Sequence, residues 1–280
     1  VKAMTQDEKL TVIFGFFGAD MGDKYKRVPE ALPGSAGYVP GIARLGIPAQ
    51  FQTDAGVGVA TQGGEPNKRE RTALPSGMAT TATWNPQLAQ AGGAMIGAEA
   101  RASGFNVMLA GGVNLVREPR NGRNFEYGGE DPWLAGKMVG AQIKGIQSNA
   151  IVSTIKHYAL NAQETGRFVL DAKIGETDLR TSDLLAFQFA IEDSDPHSVM
   201  CSYNRVNGDY ACENDFLLNK VLKQDWGYKN YVMSDWGAAH SSAKAINAGL
   251  DQESAGDAFD KEPFFKGPLK DALAKGEVSQ

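Results

Sequence analysis

A chain of 280 residues with 42% hydrophobic and 22% charged side chains can bury one large core, and its composition excludes a disordered or fibrous protein. Its 33 acidic and 28 basic side chains leave a net charge of -5 with no blocks of either sign, so neither nucleic acid nor an anionic membrane surface is the expected partner. No stretch approaches the roughly 18 apolar residues of a membrane span, and Val1 to Phe17 lacks the basic, apolar, small-residue order of a signal peptide, so any export signal is expected upstream of this numbering.

Thr5-Gln6-Asp7-Glu8 places a Glu three residues after a Thr, which predicts a helix beginning near Gln6. Gly15 to Gly41 reads as glycine-rich, irregular chain. Short apolar runs then alternate with helical patterns. The runs are Ile47 to Thr53, Phe105 to Leu109, Ile151 to Ile155, Ser198 to Ser202 and Tyr231 to Ser234, rich in β-branched or aromatic residues. Asn85-Pro86 predicts the start of a helix over Gln87 to Ala102, and Asp131-Pro132 that of Trp133 to Gln147. Leu184, Phe187 and Ile191 stripe a helix over Thr177 to Glu192, and Asn214 to Gln224 closes at Gly227. Strand and helix in alternation argue for a parallel sheet. No Gly-rich phosphate loop follows an early strand, so the expected fold is α/β, a (β/α)8 TIM-like barrel over residues 1–280. There is no internal repeat and no low-complexity linker.

The working face of such a barrel lies where strands end, so polar residues after each apolar run are site candidates. Asp54 follows the first run, the loop Asn114 to Glu130 the second, Lys156 and His157 the third, Tyr203 and Asn204 the fourth, and Asp235-Trp236 the last. One Asp after a strand is more often a helix cap or turn former than a catalyst. Carboxylates, a guanidinium, an ammonium, an imidazole and aromatic faces converging on one rim instead describe a carbohydrate pocket. Charged groups there would pair with sugar hydroxyls and aromatic rings would face the sugar's C–H side. Asp54, Arg123, Lys156 and His157 suit the first task, Trp236 and Tyr203 the second. Neighbours on a regular strand point to opposite faces, so Lys156 and His157 both address one sugar only if the backbone there is irregular. His197 and His240 read as structural, and neither has metal-ligand company. Trp84, Trp133 and Trp226 read as packing residues at helix boundaries. Cys201 and Cys212 flank Asn207-Gly208-Asp209, a turn compatible with a local disulfide and equally with two buried thiols.

These motifs resemble family 3 glycoside hydrolases, in particular bacterial β-glucosidases, essentially from end to end. The resemblance is carried by Leu45-Gly46-Ile47-Pro48 before Thr53-Asp54, by Gly122-Arg123-Asn124-Phe125-Glu126 and by Gly129-Glu130-Asp131-Pro132. It continues through Ile155-Lys156-His157-Tyr158, Ser198-Val199-Met200-Cys201-Ser202-Tyr203-Asn204 and Val232-Met233-Ser234-Asp235-Trp236-Gly237. It implies that Asp235 is the catalytic nucleophile, that Asp54, Arg123, Lys156 and His157 hold glycone hydroxyls, and that Met200, Tyr203 and Trp236 line the sugar pocket. It further implies a Cys201–Cys212 disulfide and hence a periplasmic or secreted enzyme, with no cofactor and no metal. The implied substrate is a β-glucoside or short β-gluco-oligosaccharide, cleaved with retention through a glycosyl-aspartate intermediate. Many relatives read Asp-Gly-Pro at the first motif with an Arg soon after, where this chain has Asp54-Ala55-Gly56 and Val59-Ala60.

Retention needs a second carboxyl group about 5 Å from the nucleophile. Glu126, Glu130, Glu164 and Glu213 are on offer, but Glu130 precedes a helix start and Glu126 buttresses Arg123. The resemblance implies instead a Glu on a C-terminal α/β sandwich domain, expected outside these 280 residues. Other family activities stay open, among them β-xylosidase and exo-glucanase. The β-N-acetylglucosaminidase type is disfavoured because Ala159 to Ala172 contains no His. A Schiff-base lyase using Lys156 and a non-catalytic sugar-binding barrel are the rivals from other classes.

Overall fold

Thr5 and Glu8 cap each other as their spacing predicts: Glu8 N donates to the Thr5 hydroxyl at 3.2 Å, Thr5 N donates to the Glu8 carboxylate at 2.8 Å, and a helix runs over Gln6–Val12. The computed structural model describes residues 1–63 and 70–279. Its strands are β1 (Phe14–Phe17), β2 (Gly37–Val39), β3 (Gln50–Thr53), β4 (Val107–Met108), β5 (Val152–Tyr158), β6 (Asp171–Ala172), β7 (Ser198–Cys201), β8 (Arg205–Val206), β9 (Asp209–Tyr210), β10 (Tyr231–Ser234) and β11 (Glu253–Ser254). Eight of them form one sheet in the order β10-β7-β5-β4-β3-β2-β1-β11. Its edges meet where Ser234 N donates to Gln252 O at 2.9 Å and Gln252 N to Val232 O at 3.0 Å, so the sheet closes into the expected barrel. One strand departs from the all-parallel pattern: β2 runs antiparallel to both β1 and β3.

Alternation along the strands divides the core into two layers. Val107, Leu109, Met200 and Met233 pack together inside the barrel. Val199, Cys201 and Val232, one residue out of phase, face the helices. Asp235 continues the phase of Met233 just beyond the end of β10, which sets it at the mouth of the barrel.

The flanking helices begin where their caps predict. Asn85 Oδ1 accepts from Leu88 N at 3.0 Å for Pro86–Ala102, and Asp131 Oδ1 from Leu134 N at 2.7 Å for Pro132–Gln147. Three expectations need correction. The glycine-rich stretch from Gly15 is not irregular throughout but contains most of β1 and all of β2. A Cβ on Gly15 would lie 3.3 Å from Val39 Cγ2, so glycine there serves close strand approach. The helix read over Thr177 to Glu192 is two, Glu176–Thr181 and Asp183–Ser194, broken at Ser182. Arg117 reaches from a distant loop to the Ser182 hydroxyl and the Asp183 carboxylate at that break. Trp84 and Trp133 do not pack: they are 67% and 51% exposed, because a place at a helix start fixes no side-chain direction, whereas Trp226 meets the Tyr158 ring edge-on at 6.1 Å.

Candidate active site

A cavity of about 390 Å3 opens at the carboxyl ends of the strands, and all eight residues singled out there by sequence line it: Asp54, Arg123, Lys156, His157, Met200, Tyr203, Asp235 and Trp236. Asp54 directly follows β3, Met200 lies in β7, and Asp235 and Trp236 directly follow β10. Lys156 shares the phase of Val152, which packs inside the barrel, so a regular strand would turn His157 away. The backbone is irregular as expected: the Lys156–His157 peptide is cis, and the register against β7 shifts between Ile155 and Tyr158. Both side chains face the cavity. The strand also runs on through Tyr158, past the expected end at Ile155.

Asp235 is 5% exposed, and the two oxygens of its carboxylate differ. Oδ1 accepts from the Tyr203 hydroxyl at 2.9 Å and from Trp236 N at 2.8 Å. Oδ2 lies 3.6 Å from His157 Nε2. Arg123 Nη2 sits 3.0 Å from that same Nε2, and a guanidinium can only donate, so Nε2 accepts and the ring proton resides on Nδ1, 3.1 Å from the Tyr127 hydroxyl. Burial, with the charges of Arg123, Lys156 and Arg167, pushes the His157 pKa well down and keeps the ring neutral. Oδ2 therefore has no hydrogen-bond donor among the described residues, and its lone pairs are free.

Burial pushes the Asp235 carboxyl above the ordinary aspartate value, while Arg123, Lys156, Trp236 N and the Tyr203 hydroxyl pull it back. A function that needs this group ionised should lose activity on the acid side at a pH above the usual aspartate range. Tyr203→Phe removes a donor to the charged form and should move that acid limb to higher pH, as a pH profile of kcat/KM would record; an unmoved or lowered limb would contradict the geometry.

Cations in the cavity are fixed by acids. Lys156 Nζ, in a side chain 4% exposed, is 3.3 Å from Asp54 Oδ1 and 4.0 Å from Glu126 Oε2, and Gln62 Nε2 donates to Asp54 Oδ2 at 2.9 Å. Arg123 pairs with Glu126, and its Nη1 is 3.8 Å from Glu164. Burial works against the Arg123 charge, but Glu126 and its other anionic neighbours outweigh it and hold the guanidinium above its usual value. Tyr203 lines the cavity with the Arg167 guanidinium over its ring at 4.2 Å and Phe168 packed against it, and its hydroxyl donates to Asp235. Glu126, weighed as a proton donor and as a buttress for Arg123, and Phe125 of the same loop also line the cavity, as does Arg167, to which sequence reading gave no place there. The pair Glu164 and Arg167, three residues apart in the loop after β5 and 2.8 Å apart in space, was the available signal.

The other carboxylates read as proton-donor candidates are not among the residues lining the cavity. Glu130 is exposed at its helix start, Glu164 holds Arg167, and buried Glu213 accepts from the Ser241 hydroxyl at 2.6 Å and His240 N at 3.1 Å. His197 is exposed, and His240 stacks on Tyr210 at 3.6 Å. Cys201 and Cys212 form a disulfide across the turn between β8 and β9, where Asn207 and Gly208 both take positive φ. Cys201 O accepts from Asp235 N at 3.2 Å, which ties the bridge to the backbone of the site. Among the described residues no group of three or more His, Cys, Asp or Glu is arranged to hold a metal ion, and no helix is long and apolar enough to cross a membrane.

The N-terminal domain model of glycosyl hydrolase family 3 matches residues 39–259. Beta-glucosidase B of Emericella nidulans is 48% identical over 183 residues, 65% of this chain and 22% of that protein. An exo-alpha-(1->6)-L-arabinopyranosidase of Bifidobacterium longum is 37% identical over 227 residues, 79% of this chain and 30% of that protein. The structure of beta-glucosidase 3B from Thermotoga neapolitana in complex with glucose superposes with a TM-score of 0.91 at 34% identity, covering 99% of this chain and 39% of that one. The chain thus spans between 22% and 39% of the lengths of these three proteins. A closed barrel, a charged cavity at its carboxyl end and a domain match over most of the sequence lead to one conclusion: the chain belongs to glycosyl hydrolase family 3.

Proposed function

We propose that this barrel is the nucleophile-bearing part of a retaining, exo-acting β-glucosidase that removes terminal β-D-glucosyl residues. The observation that carries the reading is the asymmetry at Asp235: one oxygen is held by Tyr203 and Trp236 N, and the other keeps free lone pairs in a cavity shared with Asp54, Lys156 and Arg123. A pyranose held by those charged groups would present its anomeric carbon to Oδ2. Attack forms a C1–Oδ2 ester as the bond from C1 to the leaving oxygen breaks, and water then attacks C1 from the opposite face and restores the carboxylate. Neutral His157 donates nothing to Oδ2 and so leaves its nucleophilicity intact.

The leaving oxygen needs a proton. Of the other acids lining the cavity, Asp54 is bound to Lys156 and Glu126 to Arg123, so neither is placed to give one up. We place the acid/base Glu on a C-terminal sandwich domain outside these residues, as the family resemblance implies. The greater length of the relatives supports that placement. The disulfide favours an oxidising compartment, so the proposed location is periplasmic or secreted.

A Schiff-base lyase would need Lys156 as a free amine, and its two carboxylate neighbours argue for a structural and sugar-binding ammonium instead. Proton NMR of the first product formed from an aryl β-glucoside tests the reading. The β-anomer of glucose should appear before mutarotation, and an initial α-anomer would exclude a glycosyl-aspartate route. Comparison with an aryl α-L-arabinopyranoside decides the glycone, with faster turnover expected for the glucoside.

A further inference from the structure

Phe125 is 50% exposed at the cavity, yet the residues on either side of it are buried, Asn124 at 7% and Glu126 at 9%. The turn that carries it, Asn124–Glu126, is pinned. Asn124 Nδ2 donates to Glu118 O at 2.9 Å, Asn121 Nδ2 donates to Asn124 Oδ1 at 3.2 Å, and Glu126 is paired with Arg123. From behind, Gly77 lies so close to this backbone that a Cβ there would come 2.8 Å from Tyr127 O and 2.9 Å from Glu126 C. An exposed Phe on a mobile loop needs no explanation, but here a rigid turn holds a large apolar ring in water beside a polar cavity.

Of the groups assigned to the sugar, Lys156, His157 and Asp235 are buried and Asp54 and Arg123 half-buried, all more deeply set than Phe125, so the sugar ring would sit below the level of Phe125. Phe125 offers no polar atom to a hydroxyl and meets whatever emerges from the cavity. Resting on the reading of the cavity as a glycone pocket, we infer that Phe125 forms a wall of the leaving-group site and selects flat, aromatic aglycones over simple alkyl ones. Because the turn is already ordered, stacking on this ring loses little conformational freedom.

The test compares the affinities of phenyl and methyl 1-thio-β-D-glucoside, which bind without being turned over, by NMR titration of the chain and of Phe125→Ala and Phe125→Trp. The wild type should bind the phenyl ligand roughly three- to tenfold more tightly than the methyl ligand. Phe125→Ala should bring that ratio close to one, and Phe125→Trp should keep it. A preference that survives in Phe125→Ala overturns the inference, as does an equal loss for both ligands, which a merely distorted turn would cause. If the wild type binds both ligands equally, this inference alone fails; if it binds neither, the glycone reading fails with it.

Discussion

Asp235→Ala should lower kcat for a dinitrophenyl β-glucoside by about 10^4-fold or more and leave the melting temperature no lower than that of the wild type. The dinitrophenolate leaves without a proton, so the measurement isolates the nucleophile from the acid. Within the cavity no neighbour can substitute, since Asp54 and Glu126 are each bound to a cation. The stability half of the prediction follows from linkage. Burial raises the folded-state pKa of Asp235 above its unfolded value, so the folded protein holds that proton to higher pH. Above that pH the ionised, buried carboxylate weakens the fold, and alanine removes the weakness. Loss of folding together with activity would mark Asp235 as a structural group.

Asp54→Ala should act differently, weakening both the sugar complex and the barrel. A charged hydrogen bond is worth about 1.5 to 3 kcal/mol, so losing this acceptor should reduce kcat/KM roughly 10- to 150-fold, chiefly through KM. The same change removes the nearer partner of a lysine side chain 4% exposed to solvent and leaves it only Glu126 at 4.0 Å. Leaving this lysine with one distant partner should also lower stability, which denaturant unfolding would detect. A variant with unchanged KM and full stability would remove Asp54 from both roles.

How much of this was legible in the sequence follows from which signals are local. Caps are local, so the helices after Asn85 and Asp131 begin where the sequence puts them. The strands β3, β5, β7 and β10 are apolar runs followed by polar residues, and all eight expected site residues reach one cavity. Strands β1, β2 and β11 have two to four residues each and show no period; only pairing across the barrel makes them strands. The break at Ser182 coincides with the contact from Arg117, which no window around Ser182 contains. At the site, the need for irregular backbone at Lys156 and His157 followed from strand parity once both side chains were assigned to one sugar. The bond from the Tyr203 hydroxyl to Asp235 did not, because it joins side chains 32 residues apart whose directions no local signal gives.

The central claim is that Oδ2 of Asp235 forms a bond to the sugar. Incubation with dinitrophenyl 2-deoxy-2-fluoro-β-glucoside should trap that ester, because the fluorine slows both steps through the oxocarbenium-like transition state while the leaving group restores only the first. Mass mapping of the peptide containing Val232-Met233-Ser234-Asp235-Trp236 should then find one fluoroglucosyl group on Asp235. Label on Asp54, Glu126 or any other carboxylate would contradict the account.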